Sequence, residues 1–398
     1  MSVSKKVQSI APSLTLEITA KAKKLKSEGV SIIGFGAGEP DFNTPDFIIE
    51  SAKKALDIGF TKYTPAAGTV ELKKAICDKF YKDNNLQYDP SQIVISSGAK
   101  SSLYHAISAI VDEGDQVILP SPFWLTYPEL IKLAGGECIY VQTKKENGYK
   151  MTAEQFANAI TDKTKCLILN SPNNPTGAVY SKEEIDAIAK IAQDKGIYVI
   201  SDEIYEKLIY ENEKHYSIAQ YSPEMKELTI IINGMSKTYS MTGWRIGYLA
   251  APQNIAKAIS SMQSHTTSNA CSISQYASVT ALSDPKGEEF ILDMQKVFDE
   301  RRKLMIKELS DVKDIVCIEP KGAFYVFVNV SALYGKKFQG EVVDGSLKFA
   351  DLALKKGVAL IPGVAFGNDE CIRLSYAISK EDIIEGLKRF KSFINELQ

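Results

Sequence analysis

Short apolar runs rich in β-branched residues alternate with longer helix-period segments, such as 99–111 and 182–195, up to about residue 285. The runs are 93–96, 117–120, 138–141, 166–170, 197–201, 229–232 and 247–250. This alternation predicts βαβ units in a largely parallel sheet. Several runs end next to polar residues, and an open α/β sheet collects such strand ends at one edge, where ligands bind.

Beyond residue 285 the pattern changes to that of a smaller α+β unit. It predicts a polar helix at 287–309, a strand at 322–329, a helix at 346–356, and strands at 358–361 and 371–375. The first 40 residues, with a helix at 14–29 and a strand at 32–35, are expected to pack on this unit, because chain termini often meet in one domain. We therefore expect a large domain at 41–285 and a small domain formed by 1–40 and 286–398.

Composition narrows the class of protein. A chain of 398 residues exceeds one ordinary hydrophobic core, which agrees with two domains. The 47 basic and 49 acidic residues nearly balance without a basic run, so no nucleic-acid partner is expected. Neither a signal peptide nor a stretch of about 18 apolar residues occurs, so no membrane partner is expected. Six scattered cysteines and three distant histidines favour a cytoplasmic protein with reduced thiols and no metal site.

Lys237 is the leading candidate for chemistry. The apolar run 228–233 before it would bring its amine to a strand end. A lysine desolvated there loses its charge more easily and becomes a nucleophile able to form a Schiff base. The alternative is chance, since a chain with 47 Lys and Arg places some lysine near an arginine such as Arg245.

The segment 96–102 is a candidate phosphate site. It lies between a predicted strand and a predicted helix, so its backbone amides would point outward at the positive end of the helix dipole. Arg245 could add a planar pair of donors to the same anion. Taken alone, the small residues are better explained by ordinary helix capping.

Four further side chains are candidates for the site, and three of them also have a structural interpretation. Asp202 at a buried strand end needs a cationic partner, such as a protonated pyridine nitrogen, or else caps the following helix. Tyr205, three residues after Asp202, would lie on the same side of a short helical turn as Asp202. Trp124 would stack on an aromatic ligand or belong to the core. Arg373, on an apolar strand, needs a carboxylate from the protein or from a substrate.

Five separated motifs resemble those of the class I aminotransferases of fold type I, which use pyridoxal 5′-phosphate. They are AGEPD at 37–41, SGAK at 97–100, NNPTG at 173–177, SDEIY at 201–205, and SK at 236–237 with GWR at 243–245. The resemblance covers nearly the whole chain and is specifically to bacterial aspartate aminotransferases of the Ib subgroup. It implies a large domain with a mostly parallel seven-stranded sheet flanked by helices.

The resemblance also implies roles at the cofactor. Lys237 would attach the cofactor and act as general base, Asp202 would keep the pyridine nitrogen protonated, and Trp124 would stack on the ring. Asn174 and Tyr205 would bind the ring oxygen. The phosphate ligands would be Gly98, Ala99, Lys100, Ser236, Arg245 and, from a neighbouring subunit, Tyr63. A homodimer with shared active sites is therefore expected.

Amino acids and 2-oxo acids are the implied substrates. Arg373, with Gly38 and Asn174, would bind the α-carboxylate, and Lys100 with Thr15 would bind a distal carboxylate. Ala11 stands where some relatives carry a basic residue, which leaves one cation fewer at the distal end. Gly234 replaces a serine of many relatives.

The expected reaction is ping-pong transamination between L-aspartate and 2-oxoglutarate, giving oxaloacetate and L-glutamate. Alternatives with the same central residues are a broad-specificity, aromatic or kynurenine aminotransferase and a C–S β-lyase. A non-catalytic effector-binding module is an alternative of another class, because fold alone does not fix function. The presence of Lys237 argues against such a module.

Overall fold

A seven-stranded sheet forms the centre of the computed structural model, which describes residues 3–398. In spatial order the strands are Ile93–Ser96, Gly247–Ala250, Thr229–Gly234, Tyr198–Asp202, Thr164–Asn170, Gln116–Ser121 and Glu137–Gln142. Gly247–Ala250 is antiparallel to both neighbours, and the other pairings in this sheet are parallel. All seven predicted runs are strands of this sheet within two residues at each end, so the predicted α/β fold is confirmed.

Helices flank this sheet. They are Asp46–Asp57, Val70–Asn84, Ala99–Ile110, Thr126–Ala134, Ala153–Ala159, Lys182–Lys195, Pro223–Glu227, Met235–Thr238, Gln253–Thr266 and Ser272–Ser283. Lys182–Lys195 illustrates how the sequence sets them. The Ser181 side chain accepts a hydrogen bond from the Glu184 amide at its start, and Gly196, in the left-handed region, ends it. Its buried residues recur three and four apart, which is the spacing of one helix face: Ile185, Ile188, Ala189 and Ala192.

A second, antiparallel sheet has the strand order Ile361–Pro362, Cys371–Ser375, Tyr325–Asn329 and Val316–Cys317. The remaining α-helices are Lys5–Gln8, Leu14–Ser27, Lys286–Ser310, Ser346–Lys355 and Lys380–Asn395, and a small hairpin pairs Lys337–Phe338 with Glu341–Val342. Where one strand was predicted at 358–361, two short strands occur, separated at Leu360.

The two ends of the chain meet next to this second sheet. Ile33–Gly34, shorter than the predicted 32–35, pairs in parallel with Val358–Ala359. Phe35 joins the buried cluster that contains Phe324, Tyr376 and Phe390. These contacts agree with a small unit built from both termini. The domain boundaries at residues 41 and 285 stay a prediction.

Three parallel strand ends define the edge that carries the candidate site. Asn170 lies directly opposite Asp202 in the register of their two strands, and Asp202 lies opposite Ile232. Because the strands run in the same direction, their carboxyl ends emerge together. Among residues 3–398, no helix is both long and apolar enough to cross a membrane.

Candidate active site

A cavity of about 690 Å³ lies at this edge of the large sheet, and the second sheet also contributes residues to its wall. The predicted site residues that line it are Thr15, Gly38, Ala99, Lys100, Trp124, Asn174, Asp202, Tyr205, Ser236, Lys237, Arg245 and Arg373. Gly98 immediately precedes the helix that begins at Ala99. The structure therefore brings together residues that lie far apart in sequence, whereas their roles in chemistry stay predictions.

Lys237 lies in the short helix Met235–Thr238, directly after the strand Thr229–Gly234 of the large sheet. Its Nζ donates a hydrogen bond to the Gly38 carbonyl. Burial lowers the lysine pKa to about 8, the Glu39 carboxylate opposes this shift, and the Arg373 guanidinium adds to it. The amine is therefore much more readily deprotonated than a solvated lysine, which suits a nucleophile or a general base.

Asp202 is a buried carboxylate at the end of its strand, with 3 % of its surface exposed. The Tyr127 hydroxyl donates to its Oδ2 at 2.7 Å, and the Ile204 amide donates to its Oδ1 at 3.2 Å. Burial raises the pKa of Asp202 to about 6, and these hydrogen bonds oppose the shift. A cationic group bound in the cavity would favour the ionised form of this carboxylate.

Arg373 lies on the strand Cys371–Ser375 and is 3 % exposed. Its Nη1 donates to Asn174 Oδ1 at 2.9 Å, and its Nη2 donates to the Gly36 carbonyl at 3.2 Å. Its Nε is buried without a hydrogen-bond partner among the described residues. Burial lowers the arginine pKa, and both acceptors are neutral. A bound carboxylate would therefore supply the negative charge that could pair with this guanidinium.

Gly98 and Arg245 lie together in front of the helix Ala99–Ile110. Gly98 has φ +88°, and a Cβ there would lie 2.3 Å from Arg245 Nη2, so the close approach requires glycine. Arg245 Nη1 donates to the Thr242 carbonyl at 2.8 Å. The guanidinium and the helix N-terminus thus meet at one point, which is the arrangement that binds a phosphate.

Lys100 and Trp124 form another wall of the cavity. Lys100 Nζ lies 4.9 Å from the centre of the Trp124 ring, a cation–π contact. Burial lowers the pKa of Lys100, and Arg245 adds to that effect. Thr15 lines the cavity near the start of the helix Leu14–Ser27. Tyr63, in contrast, is 90 % exposed and lies outside the cavity of its own chain.

Three organising residues received no role from the sequence. Tyr127 binds Asp202, and Asn170 accepts a hydrogen bond from the Asn174 amide at 2.9 Å. Tyr325 lies with its hydroxyl 3.0 Å from that of Tyr205. The spacing of Tyr127, three residues after Trp124, was a usable local signal, whereas nothing near Tyr325 in sequence indicates its partner.

Glu203, Glu206 and His215 form a separate cluster whose potential metal-ligand atoms lie within 4.8 Å of one another. Its carboxylates already have protein partners. Ser217 Oγ donates to Glu203 at 2.6 Å, and Lys79 forms an ion pair with Glu206. The cluster is therefore a buried polar network in its own right.

Together, the fold and the cavity define an enzyme site built around an amine of lowered pKa, with the guanidinium groups of Arg245 and Arg373 in its wall. The model for class I and II aminotransferases matches residues 30–390. The chain therefore belongs to the class I and II aminotransferase family.

Individual relatives match over all or nearly all of the chain. The aspartate aminotransferase of Bacillus subtilis is 46 % identical and covers 100 % of both chains. A probable aspartate/prephenate aminotransferase of Aquifex aeolicus is 47 % identical and covers 98 % of each. The crystal structure of the Rhizobium meliloti aspartate aminotransferase matches with a TM-score of 0.96 at 37 % identity, covering 100 % of both chains. The structure of the Thermus thermophilus aspartate aminotransferase with maleate matches with a TM-score of 0.94 at 38 % identity, covering 99 % of this chain and 100 % of the other.

Proposed function

We propose that this aminotransferase transfers the amino group between L-aspartate and 2-oxoglutarate in ping-pong order, with pyridoxal 5′-phosphate as cofactor. The observation that carries the proposal is the common cavity of Lys237, Asp202 and Arg373. Among residues 3–398, it combines an amine of lowered pKa, a buried carboxylate without an ion-pair partner, and a buried guanidinium whose hydrogen-bond acceptors are neutral.

The residues fit this cofactor at both ends. A phosphate fits the start of the helix Ala99–Ile110, where the missing Cβ of Gly98 lets the Arg245 guanidinium come close to the backbone. A protonated ring nitrogen fits Asp202, because it would offset the cost of burying that carboxylate. When bound, pyridoxal phosphate supplies a carbonyl that accepts the amino group and a ring that withdraws electrons from the substrate Cα.

The chain's own residues then have distinct tasks. Lys237 Nζ would hold the cofactor and would also be the base that takes the proton from the substrate Cα. Asp202 would keep the ring nitrogen protonated, and the Tyr127 hydroxyl fixes the carboxylate orientation. Tyr205 and Asn174 would bind the ring oxygen, and Trp124 would stack on the ring. Ser236, with 7 % exposure, adds a hydroxyl near the phosphate end.

Arg373 binds the substrate α-carboxylate and thereby orients the Cα–H bond toward Lys237. Lys100, with Thr15, meets the distal carboxylate, which favours aspartate and 2-oxoglutarate. The names of the Bacillus and Thermus relatives support this choice, and the Thermus structure contains maleate, a dicarboxylate. The broad-specificity, aromatic and β-lyase alternatives gain no support from these relatives.

A homodimer and a cytoplasmic location belong to the same proposal. Tyr63 is almost fully exposed in one chain, and the apolar Leu56, Ile58 and Val70 are exposed in the same part of the sequence. A partner subunit covering this surface would let Tyr63 reach the phosphate of the neighbouring site. All six cysteines have free thiols, which suits a reducing compartment. Sedimentation equilibrium of the purified protein tests the dimer.

The test of function is the visible absorbance of protein loaded with pyridoxal phosphate during addition of L-aspartate, L-tyrosine or L-alanine without any 2-oxo acid. Aspartate is expected to bleach the band fastest. Lys237→Ala is expected to abolish bleaching, whereas the control Lys190→Ala, at an exposed lysine paired with Asp194, is expected to keep it. Wild-type protein without a visible band would refute the cofactor assignment.

Lys100→Met separates the substrates. Loss of a charge-assisted hydrogen bond is expected to raise the KM for aspartate about 10- to 100-fold and to change that for alanine much less. Bleaching by tyrosine or alanine but not by aspartate would refute the dicarboxylate preference and favour the broad-specificity alternative.

A further inference from the structure

Tyr325 connects the cofactor end of the cavity with its carboxylate end. It is the first residue of the strand Tyr325–Asn329, is 1 % exposed and lines the cavity. Its hydroxyl lies 3.0 Å from the Tyr205 hydroxyl, and its ring centre lies 4.3 Å from Arg373 Cζ. One side chain thus contacts two residues that have different tasks in the proposed function.

The ring contact follows from the strand register. Tyr325 lies opposite Ser375, and Phe327 lies opposite Arg373, so Tyr325 and Arg373 are diagonal neighbours on one face. The Phe366 ring lies 4.9 Å from the same guanidinium carbon. Two aromatic rings therefore hold Arg373 by cation–π contact, while its outer nitrogens bind Asn174 and Gly36.

The hydroxyl contact has a preferred direction once a ligand accepts a hydrogen bond from Tyr205. Either oxygen can donate in the pair itself. Burial raises the pKa of both phenols, so each keeps one proton. If the Tyr205 hydroxyl donates its one hydrogen bond to a ligand in the cavity, the hydrogen bond between the two tyrosines must be donated by Tyr325. A hydroxyl that accepts one hydrogen bond is a stronger donor in the next.

We propose that Tyr325 is a positioning residue with two separable parts: its hydroxyl strengthens Tyr205 as a donor to the cofactor's ring oxygen, and its ring holds Arg373 for the substrate carboxylate. The hydroxyl part rests on the proposed function, whereas the ring part requires only that Arg373 binds a carboxylate. Tyr325→Phe removes the hydroxyl and keeps the ring, and Tyr325→Leu removes both.

The hydroxyl part is tested by the pH midpoint of the visible absorbance of pyridoxal phosphate-loaded protein. A donor stabilises the negative charge of the ring oxygen, so a weaker donor raises the midpoint. Tyr325→Phe is expected to raise it by about 0.1 to 0.6 pH unit, and Tyr205→Phe by more. Because the effect acts through Tyr205, adding Tyr325→Phe to Tyr205→Phe should cause no further shift.

Tyr376→Phe is the matched control for this measurement. Tyr376 is fully buried in the same cluster, donates to the Ala323 carbonyl at 3.2 Å and does not line the cavity. Its substitution is expected to leave the midpoint unchanged. An unshifted midpoint in Tyr325→Phe, or an equal shift with and without Tyr205, would overturn the hydroxyl part.

The ring part is tested by maleate binding, followed through tryptophan fluorescence. Tyr325→Leu is expected to weaken maleate binding about 3- to 30-fold, whereas Tyr325→Phe should stay within about twofold of wild type. Equal weakening in both variants, or none in Tyr325→Leu, would overturn the ring part. Wild-type protein without a visible band would refute the proposed function and the hydroxyl part together, while maleate binding still decides the ring part.

Discussion

At the scale of single residues, the site contains charged groups whose burial lowers the stability of the folded protein. Burial disfavours the charge of Asp202 and raises its pKa from the ordinary 3.8 to about 6 in the folded protein. The cost of the buried carboxylate is therefore absent below about pH 4, grows between pH 4 and 6, and is complete above that range. A cofactor with a cationic nitrogen would offset this cost.

Asp202→Asn should therefore stabilise the cofactor-free protein at pH 8. The amide keeps an acceptor for the Ile204 amide and carries no charge, so the free energy of unfolding should rise by on the order of 2 to 3 kcal/mol. At pH 4 the variant and wild type should be equal. Urea unfolding at both pH values measures the difference. Asp194→Asn, at an exposed aspartate paired with Lys190, is the control.

Added pyridoxal phosphate should reverse this order, because only the carboxylate forms an ion pair with the protonated ring nitrogen. The variant should then retain the cofactor less tightly than wild type in equilibrium dialysis. Equal stability of the two cofactor-free proteins at pH 8 would contradict the argument.

At the scale of elements, the start of the helix Ala99–Ile110 depends on Gly98. Gly98→Ala places a Cβ at φ +88° and 2.3 Å from Arg245 Nη2. We expect a loss of roughly 1 to 2 kcal/mol in stability from backbone strain. Displacement of the guanidinium should also weaken pyridoxal phosphate binding about 10- to 100-fold. Dialysis and urea unfolding measure the two effects.

Gly196 provides the matched control for this helix-end substitution. It also has a positive φ, +65°, but a Cβ there would meet nothing within 4 Å. Gly196→Ala should therefore lose stability and keep cofactor affinity. Equal cofactor affinity of Gly98→Ala and wild type would contradict the assigned anion site.

Most helices and strands were predictable, because the local order of apolar and polar residues indicates which positions are buried. The run 229–232 is apolar at every position except Thr229, and Lys237 follows it closely, so its place at a strand end could be inferred. The reversed direction of Gly247–Ala250 could not be, since a short apolar run reads the same in either direction. The Tyr127–Asp202 bond joins residues 75 positions apart, and only the folded sheet brings them together.

At the scale of the whole molecule, Arg302 connects distant parts of the chain. It lies fully buried in the long helix Lys286–Ser310 and forms ion pairs with Glu211, Asp299 and Glu319. Glu211 follows the central strand Tyr198–Asp202, whereas Glu319 precedes the strand Tyr325–Asn329 of the second sheet. This guanidinium therefore links the segments that carry the two walls of the cavity.

Arg302→Met should destabilise the protein by about 2 kcal/mol, because it removes three charge-assisted contacts of a buried guanidinium, while Lys321 and Lys303 still pair with the three carboxylates. Lys303→Met is the control at the next position. Lys303 is 58 % exposed and pairs with Asp299, so its loss should cost under about 1 kcal/mol. Unfolding in guanidinium chloride compares the two variants. Equal losses in the free energy of unfolding would contradict the linking role of Arg302.

The helix Leu14–Ser27 is a loosely packed part of the cavity wall. None of its residues is buried, although Thr15 and Thr19 line the cavity. Few buried contacts imply frequent local opening, and a ligand that touches such a helix should reduce that opening. We expect saturating maleate to slow amide hydrogen exchange across 14–27 by about tenfold or more.

The helix Lys182–Lys195, which has a buried face and does not line the cavity, should exchange at the same rate with and without maleate. Lys100→Met should remove most of the protection of 14–27, because the distal carboxylate would no longer be held beside Thr15. Identical exchange of residues 10–30 in the presence and absence of maleate, under conditions where tryptophan fluorescence shows maleate bound, would mean that this wall does not close on the substrate. The distal contact would then depend on Lys100 alone.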